Sequence, residues 1–144
     1  MKKKKIKTLT PWRGLPAKFS YEDYAGFCYV IENLLTHQEY VGRKYFSQKR
    51  RKKIQGKKRS KRITSESDWK YYRSSSDDLK NDIDKYGLDA FTFDIISLHK
   101  TRAAVNYAET RELFIRDVLN ERFPGGAYRY YNHQILGRYY RGKI

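Results

Sequence analysis

The sequence is short of most of what a covalently stapled, metal-clustered or membrane-bound protein needs. Cys28 is its single cysteine, which excludes an internal disulfide and any zinc site built from cysteines. The three histidines, His37, His99 and His133, are too scattered for a compact histidine cluster. There is no His-Glu-x-x-His spacing, Gly-rich phosphate loop or internal repeat. No apolar run reaches spanning length, and lysines 2 to 5 and 7 precede no apolar signal core. A cytoplasmic, non-secreted setting follows as the default. Acidic residues are scarce too: 16 against 32 Lys and Arg leave a formal net charge of +16.

What is present points to a polyanionic partner, and nucleic acid fits best, because no amphipathic segment argues for a membrane surface. The 144 residues suit one domain with a modest core. The 14 tyrosines suit base stacking, phosphate contacts or half-buried packing with a wet hydroxyl. Charge is concentrated between Arg43 and Arg62, where twelve of twenty residues are Lys or Arg and none is acidic. Lys44, Lys49, Arg51, Lys52, Lys53, Lys57, Lys58, Arg59, Lys61 and Arg62 are therefore the candidates for neutralising backbone phosphates.

The pattern predicts an α+β domain. Phe27-Cys28-Tyr29-Val30-Ile31 and Gln38-Glu39-Tyr40-Val41-Gly42-Arg43 read as two strands joined by a short polar break. Phe27, Tyr29 and Ile31 then share a face, Tyr40 lies near Tyr29, and Gly42 leaves room for a close approach. Ser75 with Asp78 suggests a capped helix over about 76 to 86, ended by Gly87, with Asp77, Asp78, Asp82 and Asp84 on an outer face turned away from DNA. Phe91, Phe93 and Ile95 alternate into a third strand. Thr101 can cap a second helix running to about Asn120, with Val105, Tyr107, Phe114, Ile115, Val118 and Leu119 on one apolar arc. Residues 1 to 20, holding Pro11 and Pro16, read as a basic extended arm, 21 to 133 as the domain, and 134 to 144 as a basic tail.

The Tyr29 and Tyr40 triplets, Phe27-Cys28-Tyr29 and Tyr40-Val41-Gly42, resemble the paired motifs of the GIY-YIG nuclease superfamily, although the first triplet keeps only its tyrosine. The phage-borne, homing-type members are closest, through Gly42-Arg43-Lys44, the Trp69 to Ser75 segment and Asn106-Tyr107-Ala108-Glu109. Arg73 departs from the pattern, since glycine is commoner just before those serines. The resemblance implies a small three-stranded antiparallel sheet flanked by helices, with basic extensions. It also implies a metal-dependent endonuclease acting on DNA, double-stranded by expectation, with Mg2+ or Mn2+ as cofactor, in a host cytoplasm or nucleoid if phage-encoded.

Carried over by position, Tyr29 and Tyr40 match the paired tyrosines, of which the resemblance implies one as water activator and the other as positioner of the phosphate or the water. Arg43 and Arg50 match the phosphate-binding basic residues, Arg50 on a helix after the second strand. Asn132 matches an amide that steadies the site. The metal-binding carboxylate is Glu109 or Glu112. They are three apart on one helix, and Glu109, at the rim of the apolar arc, has more room for coordinating waters. The competing function is a non-catalytic nucleic-acid-binding protein with the same fold.

Overall fold

A computed structural model of the chain describes residues 8–53, 55–56 and 60–144, with the side chains of 50–53 and 60–62 outside that description. Its centre is β2 (Gly26–Asn33), buried at every position but Glu32. β2 pairs antiparallel with β3 (Glu39–Tyr45) on one side and with β6 (Phe91–His99) on the other. A strand covered on both faces needs a continuous apolar run, and Phe27 to Ile31 supply it.

The two faces carry separate cores. Phe27, Tyr29 and Ile31 pack with Phe46, Trp69, Leu79, Ile83 and Phe93. Val30 and Val41 pack on the opposite face with Leu113, Val118, Leu119 and Ile135. Cys28 points to that second face and donates to the Val105 carbonyl at 3.5 Å. Burial pushes its thiol up to about 11, so it packs rather than reacts.

The expected three antiparallel strands are joined by a fourth. β1 (Trp12–Arg13) lies parallel to β6, so the sheet is mixed and ordered β1-β6-β2-β3. The basic arm thus lies on the domain from residue 8 onward. Thr10 Oγ1 donates to the Tyr72 carbonyl, Trp12 Nε1 donates to the Trp69 carbonyl, and the Trp12 ring meets Phe27, Tyr29 and Phe93 edge-on. A half-buried indole with its N–H satisfied anchors a strand only two residues long.

The basic segment is a hairpin, not a helix. β4 (Ser47–Lys53) pairs antiparallel with β5 (Ser60–Glu66). Gln55-Gly56 lies at the bend, with Gly56 at a φ of 77°, a conformation that a helix running through these residues could not contain.

Helix α1 (Asp77–Tyr86) is capped by Ser76, not Ser75. The Ser76 hydroxyl accepts from the Leu79 N–H, and Gly87 at a φ of 90° ends the helix. Its acidic face is not wholly outward, because Asp78 meets His133 and Asp82 accepts from the Tyr131 hydroxyl, each at 2.6 Å. Helix α2 (Arg102–Ile115) is capped by Thr101 and stops five residues short of Asn120. The chain turns through Asp117 at a φ of 48°, and Val118 and Leu119 reach the core from that turn. The expected single arc was therefore out of phase: Tyr107, Phe114 and Ile115 are exposed, while Val105 and Leu113 are buried. The last residues form a small hairpin, β7 (Gln134–Ile135) with β8 (Tyr139–Tyr140), pinned by buried Ile135.

Candidate active site

The register of β2 and β3 places Tyr29 directly opposite Gly42. A Cβ on Gly42 would lie 2.5 Å from Tyr29 Cζ and 2.9 Å from Tyr40 Cε1, so glycine is what lets the Tyr29 ring lie across β3. The two phenol rings are 6.1 Å apart. By strand alternation Tyr29 and Tyr40 belong to one face of the sheet, while Arg43 and α2 belong to the other. They meet because β3 is the edge strand and Gly42 leaves a notch in it.

Beyond that notch is a cavity of about 250 Å³ lined by Tyr29, Tyr40, Arg43, Tyr72, Ser75, Glu109 and Gln134. Arg43 Nε donates to Glu109 Oε1 at 3.2 Å, and the Tyr40 hydroxyl is 3.1 Å from Ser75 Oγ. Tyr72 meets the Tyr29 ring edge-on. Asn132 is buried beside the cavity and grips β3 with both ends of its amide. Its Oδ1 accepts from the Val41 N–H at 3.1 Å, and its Nδ2 donates to the Val41 carbonyl at 2.9 Å. That side chain completes the outer edge of β3 as a neighbouring strand would.

Electrostatics follows from this burial. The Glu109 carboxyl is pushed above its ordinary range by desolvation, which hydrogen bonds and charge from Arg43 offset in part. Tyr29 is pushed well above the usual phenol value by burial and by Tyr72, Tyr40 and Glu109, and Tyr40 is raised mainly by burial. A phenol that deprotonates water needs the opposite shift. In this state both tyrosines are neutral hydrogen-bonding groups.

The other expected residues divide clearly. Glu112, one turn on, accepts from Arg116 Nε at 2.8 Å, and Arg116 also reaches Glu39; Glu112 does not line the cavity. Arg50 stands in β4 opposite Ile63, on a strand where a helix was expected, and its side chain lies outside the described residues. So do the side chains of Arg51, Lys52, Lys53, Lys61 and Arg62, and the whole of Lys57, Lys58 and Arg59. Lys44 sits over the Tyr72 ring and pairs with Asp68. Tyr72, Ser75 and Gln134 also line the cavity and are not among the site residues that the sequence predicts. Tyr72 and Ser75 carried a signal, the Trp69 to Ser75 segment, whereas Gln134 carried none.

A family model described as "Putative endonuclease segE, GIY-YIG domain" matches residues 9–135. The chain belongs to this GIY-YIG family. No curated protein and no solved structure matches the chain. Membership makes the chain a member of a nuclease family and suggests DNA as substrate. The GIY-YIG match begins before Trp12, the residue whose strand widens the sheet to four. No helix among the described residues is long and apolar enough to cross a membrane.

Proposed function

We propose that the chain is a divalent-metal-dependent endonuclease of the phage-borne, homing type that hydrolyses phosphodiester bonds in duplex DNA. One observation carries the reading: Tyr29, Tyr40, Arg43 and Glu109, from three separate elements, line a single polar cavity. The segE family description and the Gly42-Arg43-Lys44, Trp69 to Ser75 and Asn106 to Glu109 segments support the phage-borne placement.

Glu109 fits a hard, largely hydrated cation. It is a single carboxylate at a cavity wall, with a side chain 20% exposed, and no cluster of three or more His, Cys, Asp or Glu exists among the described residues to compete for the ion. Mg2+ or Mn2+ held there would supply charge neutralisation on the phosphoryl oxygens and help to the leaving sugar oxygen. The chain's own residues do the rest. The neutral phenols of Tyr29 and Tyr40 orient the attacking water by hydrogen bonds. Arg43 leaves Glu109 to donate its planar fork to the phosphate, where negative charge builds as the new P–O bond forms. As the bond to the sugar oxygen breaks, the attacking water gives up a proton to solvent and the leaving oxygen takes one up from solvent, so that one water is consumed for each bond cut. Asn132 holds Val41 and so keeps Tyr40, Gly42 and Arg43 in register.

Supercoiled plasmid incubated with the protein and Mg2+ should give nicked or linear product, and a Glu109→Ala, Glu112→Ala double variant should give none. Unchanged cleavage by the double variant overturns the mechanism. Binding without turnover under every divalent metal would instead favour the non-catalytic nucleic-acid-binding reading.

A further inference from the structure

Against the cleavage cavity lies a second one, of about 390 Å³, which shares Arg43 and Tyr72 with it and adds Lys44, Tyr45, Lys49 and Arg102 to its wall. Four of its lining residues are cationic, and no acidic side chain lines it among the described residues. Its geometry is built around one ring. The Arg102 guanidinium lies 4.2 Å from the Tyr45 ring centre and that of Arg43 lies 5.0 Å from the same centre. The Tyr45 hydroxyl donates to Asn106 Oδ1 at 2.6 Å, and Arg102 Nη2 donates to the Ser47 carbonyl at 3.0 Å. Arg102 is thus held by stacking and by one N–H of its fork, a preorganised arrangement for an anion.

The cavity on the other side of the cleavage site has the opposite character. It is lined by Asp77 and Asp78 together with Tyr40, Ser75, Asn132 and His133. A polyanionic strand with one phosphate beside Arg43 is repelled on that side and attracted on the Arg102 side. Successive phosphates of a strand advance only ~3.4 Å along the duplex axis, so the adjoining cavity is within reach of the next one.

We propose that Arg102, with Lys49 and the Arg43–Tyr45 stack, forms a subsite for the DNA backbone phosphodiester next to the scissile one. The strand then leaves the cleavage site toward the β4–β5 hairpin rather than toward α1. This rests on the nuclease reading for which phosphate is scissile, but its binding prediction does not depend on turnover.

The test is the salt dependence of binding to a labelled duplex without divalent metal, followed over a series of KCl concentrations. Each lost phosphate contact flattens the slope of log K against log salt by about 0.9. Arg102→Gln and Lys49→Gln should each do so, Arg102→Lys should retain the wild-type slope, and Lys85→Gln on α1 should leave it unchanged. A wild-type slope for Arg102→Gln overturns the proposal. If Arg102→Gln does not fold, the slope of Lys49→Gln decides on the same terms. Inorganic phosphate raising the melting temperature of wild type but not of Arg102→Gln, with unchanged DNA slopes, would mark a free-anion pocket and overturn the DNA reading. Plasmid cleavage run in parallel separates the two claims. Flattened slopes with no cleavage by wild type uphold the subsite and sink the nuclease, while cleavage with unchanged slopes does the reverse.

Discussion

Glu109 and Glu112 are one turn apart on the same helix, and each meets an arginine, yet their surroundings differ in kind. Glu112 and Arg116 form an (i, i+4) pair that also ties α2 to Glu39 at the start of β3. Glu109 faces a polar cavity, is reached by an arginine from a different element, and is pushed toward its neutral form by burial. The pairing of Glu112 is what helix surfaces ordinarily do with a glutamate. A carboxylate held in a desolvated place with a single cationic partner costs the fold something, and such residues concentrate where chemistry is done.

Separating the two glutamates is the strongest way to break this contrast. Glu109→Gln should lower plasmid cleavage by on the order of 10²–10³-fold, the scale for losing a group that stabilises the transition state, while Glu112→Gln should stay within a few-fold of wild type. Equal losses would erase the distinction. The next largest effects fall on the strand that serves the Glu109 side. Gly42→Ala forces a methyl against the buried Tyr29 ring and should cost about 1–3 kcal/mol of stability by denaturant titration, with cleavage lowered as both phenols move. Asn132→Asp replaces the amide donor facing the Val41 carbonyl and should cost about as much, ~1–3 kcal/mol.

Smaller, but opposite in sign for the two glutamates, are the effects on stability. The folded pKa of Glu109 is raised, so the unfolded chain loses this proton at a lower pH than the folded one does. Its stabilising contribution is complete below the unfolded pKa and is lost as pH rises through the folded value. Glu109→Gln should therefore melt at or above wild type at neutral pH, with the gap closing in acid. Glu112→Gln should melt slightly lower, by about 0.5 kcal/mol for a partly exposed ion pair. Melting curves at neutral and acid pH check both. Cleavage should also fall on acidification at a higher pH than an ordinary carboxylate would give, since the ionised form of Glu109 is the one a cation needs.

The strands around Tyr29 and Tyr40 were legible in the sequence because period-two alternation and local turn chemistry act over a few residues. The caps at Thr101 and Gly87 were legible for the same reason. Less local features were not. β1 exists because Trp12 finds the Trp69 carbonyl and the Phe27 and Phe93 rings, contacts fifteen to eighty-one residues away in sequence. The early end of α2 depends on Asp117 adopting a left-handed turn, which no periodicity announces. A run of lysines and arginines has no apolar period at all, so the hairpin after Gly42 could not be told from a helix. The raised phenol pKa values arise first from burial and then from Tyr72, whose ring meets Tyr29 from a loop.

The outer edge of β3 has a consequence for solubility. Glu39 exchanges backbone hydrogen bonds with Arg129 and Tyr131, and Val41 is held by the Asn132 amide. An uncovered strand edge invites another chain to pair with it. Segment 129–132 plugs that edge as far as Val41, and beyond Gly42 the Tyr45 carbonyl accepts from the Ser67 hydroxyl. The amide that keeps the tyrosines in register is thus also a guard against edge-to-edge aggregation.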